Sequence, residues 1–173
     1  MNSETLRGLD ILEGLDDAQR TKLATITREH TCRAGDYLFL LGDAADRIYA
    51  VVSGRVDLCV PVTLPDGSVE DIRFDTRSAG QALGWSALVS PYRFTLSARA
   101  KEATELVAFT RQDLLRLFYG NPAIARIVMA HVAELVGQRL EKMQALWVRS
   151  LQRDLLNGLA PHDNRETGSS RDF

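Results

Sequence analysis

Apolar and polar positions change their period twice along this chain. From about His30 to Phe109 the period tends towards two, and on either side it is helical. Residues 1–28 read as an N-terminal helical segment. Leu6 to Leu15 suits a short helix or turn. Asp16 then stands as an N-cap with Gln19 three residues on, the spacing of a capping box. A helix of about three turns is predicted from there to roughly Arg28. Its Leu23, Ala24 and Ile26 are too few to sustain it alone, so it must pack on something larger.

Residues 29–120 read as a β unit. Tyr37-Leu38-Phe39-Leu40-Leu41 is nearly all apolar and predicts a strand buried on both faces. Ile48 to Val52 and Arg55 to Val60 are further strands, parted by Ser53-Gly54. Pro65-Asp66-Gly67-Ser68 lies between Leu58-Cys59-Val60-Pro61-Val62 and Val69-Glu70-Asp71-Ile72-Arg73-Phe74. Asp-Gly favours positive φ, so a hairpin is predicted there. Phe94 to Ala100 and Glu105 to Phe109 complete the set. Many short strands at regular spacing imply a closed or double-sheet β structure.

Helical signals return at Thr110. A helix is expected over Asp113 to Tyr119, ended by Gly120-Asn121-Pro122. Asn121 suits a cap and Pro122 a first helical turn. From Pro122 the pattern runs to Leu156 without a proline, roughly 50 Å of helix at 1.5 Å per residue. Gly137 inside it costs about 1 kcal/mol against alanine. Met129, Ala133, Val136, Leu140, Met143 and Trp147 follow alternating steps of four and three, the seam of a two-helix coiled-coil contact. The same stripe also suits packing onto the chain's own β unit. Both uses are expected: the first half covers the strands, and the second half pairs with a second copy. A homodimer through the helix 121–157 is therefore predicted. Residues 158–173 are polar and Gly/Ser-rich and read as a disordered tail.

Composition narrows the classes. A chain of 173 residues suits one domain with a long appendage. Net charge is −2, so nothing global draws nucleic acid or an anionic membrane. No apolar run approaches the ~20 residues of a membrane span. Met1-Asn2-Ser3-Glu4-Thr5 is no secretory signal, and a cytoplasmic location is expected. Cys32 and Cys59 form no C-x-x-C pair and read as reduced, buried thiols unless their strands prove to be neighbours. His30, His131 and His162 lack metal-ligand spacing. Asp36, Asp43 and Asp46 match no calcium loop and read as turn-capping carboxylates. Nucleophile elbow, paired catalytic carboxylates and P-loop lysine are all missing, so the chain does not read as an enzyme.

One segment carries ligand chemistry: Gly84, Trp85, Ser86, Ala87, Leu88, then Arg93, Phe94 and Thr95. Gly84 permits close backbone approach. Ser86-Ala87-Leu88 suits one helical turn with N–H groups aimed at an anion. Arg93 is placed to complete a phosphate site by a charge-assisted contact. Thr95 and Ser97 alternate on the following strand and offer hydroxyls. Against this, Trp85 also suits a core aromatic that plugs the space, and Arg93 a surface ion pair.

The run Gly35 to Val56, with its Gly42-Asp43 and Ser53-Gly54 punctuation, closely resembles the first half of the cyclic nucleotide-binding domain. The resemblance extends over about residues 12 to 156. It implies an α+β fold: a double-stranded β-helix, or jelly-roll β-roll, flanked by helices, with a long C-terminal helix. The family's cassette reads Gly-Glu-x-Ala-Leu, a short helix and loop, then Arg and a strand of small residues. The Glu holds a ribose hydroxyl and the Arg the cyclic phosphate. Gly84, Ala87 and Leu88 match, but Trp85 stands at the Glu position. Indole has no acceptor for a hydroxyl proton. Arg93 resembles the phosphate arginine, although the interval to the following strand is one residue short. Arg99 resembles a structural arginine of the next strand.

The resemblance implies a non-catalytic regulatory module that binds cAMP or cGMP in Gly84–Thr95 and signals through its C-terminal helix. No other cofactor is called for. A different small anionic or aromatic ligand remains open, as does a ligand-free domain acting as a protein-interaction or scaffold dimer. Regulators of this kind that read DNA continue into a helix-turn-helix domain. Only the tail follows Leu156, so DNA binding by this chain alone is not expected.

Overall fold

The computed structural model describes residues 4–158, the side chains of 157 and 158 excepted. Its first element is a single 3-10 turn, Asp10–Leu12, which buries Ile11 and Leu12. Helix α1, Asp17–Ala24, begins with the predicted capping box: Asp16 accepts from the Gln19 N–H, and Gln19 from the Asp16 N–H. Here the expected three turns shrink to two. The β-branched residues Thr25, Ile26 and Thr27 leave the helix, and Thr27–Cys32 forms strand β1 instead.

The remaining strands are β2 (Tyr37–Phe39), β3 (Arg47–Ser53), β4 (Arg55–Thr63), β5 (Val69–Ser78), β6 (Ala82–Leu83), β7 (Ser97–Ala100) and β8 (Thr104–Thr110). They form two antiparallel four-stranded sheets, in the orders β1-β8-β3-β6 and β2-β7-β4-β5. β4 and β5 make the predicted hairpin. Thr63 faces Val69, and the Asp66 carboxylate accepts from the Ser68 N–H at 2.9 Å. The Tyr37–Leu41 run departs from expectation. Tyr37, Leu40 and Leu41 are exposed and only Phe39 is buried, because the strand ends after three residues at the sheet's edge.

Helix α2, Arg111–Gly120, opens on Thr110, whose side chain accepts from the Asp113 N–H. Helix α3, Pro122–Gly158, runs for 37 residues. The chain divides into one compact unit, Met1–Leu135, and a second from Val136. In the first, the sheets enclose one apolar core. Leu6 to Leu15, Leu114 and Phe118 join it, as do Ile124, Val128, Val132 and Leu135 of α3. In the second, every residue from 140 to 156 is exposed, Leu140, Met143 and Trp147 of the seam among the apolar ones. The region read as a tail lies, from 159 on, outside the described residues.

Two polar ties hold the N-terminal segment against this unit. The Asp10 carboxylate accepts from the Ala82 N–H at 2.9 Å, and the Asp10 N–H donates to the Gly80 carbonyl. Burial pushes the Asp10 carboxyl upward. On α3, His131 places Nε2 2.9 Å from the Glu13 carbonyl and Nδ1 3.1 Å from the Glu134 carboxylate. Both partners are acceptors, so the charged imidazolium satisfies them best. Burial lowers the His131 pKa, yet the Glu13 carbonyl and Glu134 together raise it above the ordinary value. A raised folded pKa adds stability that is full below the unfolded value and fades as pH rises through the folded one. The wild-type chain should therefore lose stability relative to His131→Gln as pH rises across that range. Urea titrations of both proteins at several pH values measure it. A pH-independent difference would remove His131 as the cause.

Candidate functional site

The cassette begins where β6 ends. Leu83 pairs with Tyr49 of β3, and Gly84 then turns left-handed at φ 80°. A Cβ at Gly84 would sit 3.0 Å from the Arg47 carbonyl and 3.4 Å from the Phe94 ring, so the position needs glycine for both conformation and space. The helical turn covers Trp85–Ala87, one residue earlier than Ser86–Leu88, because Gly84 already starts it. Its hydrogen bonds run from Ala87 N–H to Gly84 and from Leu88 N–H to Trp85. Ser86 and Ala87 are buried, whereas Trp85 and Leu88 are half-buried against the core.

The loop returns along the β2–β3 connection. Ala45 N–H donates to the Tyr92 carbonyl, Phe94 N–H to Asp43, and Gly42 N–H to Phe94. In this extended stretch successive side chains face opposite ways. Arg93 is exposed and donates through Nη1 to the Gly42 carbonyl at 2.8 Å. Phe94, next to it, is therefore the inward residue, 4% exposed. Its ring stacks on Phe39 with centroids 3.6 Å apart and planes 10° from parallel, and Phe39 lies 6.0 Å from Tyr49. Thr95 is exposed. Ser97 is buried, and its hydroxyl accepts from the Leu41 N–H, so it serves the fold.

The structure thus brings Gly84, Trp85, Ser86, Ala87 and Leu88 together in one turn, with Phe94 beneath Gly84. It directs Arg93 and Thr95 outward. Phe94 was among the candidate residues, but its role as the inward ring was not foreseen, nor was that of Phe39. The one-residue shortening before β7 was the available signal, since a shift of one residue exchanges the faces of a strand.

Neighbouring residues have structural roles. Arg99 donates to the Gly35 carbonyl and lies over the Tyr37 ring, as its resemblance implied. The carboxylates of Asp36 and Asp43 cap turns at the N–H groups of Arg33 and Leu40. The Asp46 carboxylate instead pairs with Arg47 at 3.3 Å. Cys32 and Cys59 are free and buried on strands of different sheets, and burial raises both thiol pKa values. Among the described residues, no helix is long and apolar enough to cross a membrane.

A two-sheet β-roll with a glycine-led cassette between β6 and β7, followed by helices, defines a class of regulatory sensor domains. The chain belongs to the cyclic nucleotide-binding domain family, whose profile matches residues 29–121. It is 31% identical over 130 residues to glutaminase 1 of Bradyrhizobium diazoefficiens, covering 75% of this chain and 20% of that one. The chain spans about a fifth of the length of the curated relatives it matches first. It is also similar to a solved structure from Geobacter metallireducens GS-15 assigned to the cyclic nucleotide-binding proteins. That match has a TM-score of 0.67 at 27% identity, over 81% of this chain and 98% of that one. The catabolite activator protein of Thermus thermophilus aligns with a TM-score of 0.62 at 26% identity, over 86% of this chain and 63% of its own.

Proposed function

We propose that this chain is a non-catalytic regulatory module whose cassette is closed by Phe94 and which acts as an interaction dimer through the helix 121–157. The observation that carries the reading is the Phe94 ring, packed between Phe39 and Gly84 while Arg93 faces out. An anion at this turn has no guanidinium beneath it, and Trp85 offers a ribose hydroxyl no acceptor. Losing one charge-assisted hydrogen bond weakens binding by about 1.5–3 kcal/mol, and the ring adds a steric barrier.

A second reading keeps the cassette as a sensor for cAMP, cGMP or a related small anionic ligand, signalling through α2 and α3. It is favoured by the family match and by the left-handed turn at Gly84. The Arg93 guanidinium is moreover exposed and held by a carbonyl, so redirecting it costs little. Signalling then requires that ligand bind one arrangement of the helices more tightly than the other.

Isothermal titration of cAMP, cGMP and cyclic di-GMP into wild type and Arg93→Ala separates the two. No heat from any of the three supports the closed cassette. Binding that Arg93→Ala abolishes establishes the sensor and overturns the first reading.

The dimer has its own test. Trp147 is 66% exposed, and Leu140 and Met143 are exposed with it. Such apolar residues at steps of three and four fit a facing helix of the same kind. Trp147→Glu combined with Met143→Glu is expected to shift the mass measured by sedimentation from two chains to one. The circular dichroism of the β unit should not change. A wild-type chain that sediments as a monomer at high concentration would remove the dimer.

A further inference from the structure

A cleft of about 810 Å3 opens beside the cassette, and neither Phe39 nor Phe94 lines it. Four separate stretches wall it: Arg28 of β1, Ala44–Asp46 of the β2–β3 loop, Tyr92 of the cassette loop, and Thr110–Arg116 at the start of α2. Its volume falls within the ~300–1,000 Å3 typical of small-molecule sites.

The charges around it do not cancel. Three guanidinium groups line the cleft, from Arg28, Arg111 and Arg116, with two carboxylates, from Asp46 and Asp113. Both carboxylates are engaged. Asp46 pairs with Arg47 at 3.3 Å. Asp113 accepts from the Thr110 hydroxyl at 2.8 Å and lies 3.8 Å from Arg116. Among the described residues, neither Arg28 nor Arg111 has a carboxylate within ion-pair distance.

Arg111 is also held in a defined pose. Its Cζ sits 3.5 Å over the Tyr92 ring, which fixes the guanidinium plane and leaves its N–H fork pointing within that plane. Two backbone donors at the start of α2 are already engaged: the Arg111 N–H donates to the Asp46 carbonyl, and the Asp113 N–H to the Thr110 hydroxyl.

We propose that this cleft binds a small organic phosphate. Arg28 and Arg111 hold the phosphoryl oxygens, Arg116 adds charge, and Tyr92 with the exposed Leu115 flanks the organic part. A doubly charged oxyanion matches two forked donors that lack carboxylate partners. The space exceeds what an inorganic ion fills, and Tyr92 and Leu115 give it an apolar wall. Such a ligand would tie the cassette loop, β1 and α2 together at one point. The inference is independent of whether the cassette itself admits a cyclic nucleotide.

The test uses the full chain with adenosine 5′-monophosphate, adenosine and inorganic phosphate as probes. Binding is followed by calorimetry and by amide chemical shifts. Expected are binding of the monophosphate, shifts centred on Arg28, Tyr92 and Arg111–Arg116, and little response to adenosine. Arg111→Gln and Arg28→Gln should each weaken binding at least tenfold while melting within a few degrees of wild type. Arg55→Gln, outside the cleft and paired with Glu102, should leave it unchanged. Failure of the monophosphate to bind at millimolar concentration overturns the proposal. So does binding that survives both cleft substitutions, or that adenosine reproduces. Inorganic phosphate binding as tightly as the monophosphate overturns the organic part.

Discussion

Gly54→Ala is expected to cost roughly 3 kcal/mol or more of folding stability, the sum of backbone strain and a backbone collision. Gly54 joins β3 to β4 at φ 85°. A Cβ there would stand 2.5 Å from the Ala103 carbonyl oxygen, 2.6 Å from Thr104 Oγ1 and 2.8 Å from Thr104 Cα. None of these atoms belongs to the loose end of a side chain. Thr104 is itself buried, and its hydroxyl accepts from the Arg55 N–H with the Glu102 carbonyl 2.8 Å away. Relieving the collision therefore disturbs the junction with β8 as well as the crossing from β3 to β4 between the sheets. Gly67→Ala is the internal control. Its φ is 84°, but no atom lies within 4 Å of the added Cβ, so only strain of about 1–2 kcal/mol is expected. Urea denaturation of the two variants compares them directly. Equal losses would show that the collision relaxes without cost.

Phe94→Ala is expected to lose about 3–5 kcal/mol, as for other large buried aromatics cut to alanine. The ring contacts Phe39 face to face and closes the underside of Gly84. Its removal opens a cavity that the paired Gly42–Ala45 and Tyr92–Phe94 stretches hinder from collapsing. Phe94→Leu keeps most of the volume and should cost distinctly less. Thermal and urea unfolding of both variants provide the comparison. A loss below 1 kcal/mol for the alanine variant would mean that the ring is not a packed element of the core, and the closed-cassette reading would fall with it.

Local chemistry makes much of the architecture legible in the sequence. Asp16 with Gln19 and Asp66-Gly67 each specify a cap or turn through atoms a few residues apart, and each appears where the pattern placed it. Pro122 opens α3 as expected, but the Asn121 side chain meets Leu117 and Lys22 instead of capping that helix. Other features depend on partners far along the chain. β6 is only Ala82–Leu83, too short to show a period, and exists because β3 lies beside it. Thr27 leaves the helical pattern because β8 offers it a ladder, Thr27 facing Phe109. Leu40 and Leu41 look like core residues but sit past the end of an edge strand. In the cassette, the residue types were visible and their facing was not. Whether Arg93 or Phe94 turns inward is decided by one residue of register, set by the pairing with Gly42–Ala45. The Arg28–Tyr92–Arg111 cleft had no local signature, since its walls come from four separate stretches.

The outer strands of the two sheets are poor templates for another chain. β6 and β2 have two and three residues. The longer β5 carries Glu70, Asp71, Arg73, Asp75 and Arg77, and β1 carries Arg28, Glu29 and His30. Ionic side chains along a free ladder penalise the flat, dry stacking from which fibrils grow. Crowded copies of this molecule should accordingly resist amyloid-like polymerisation.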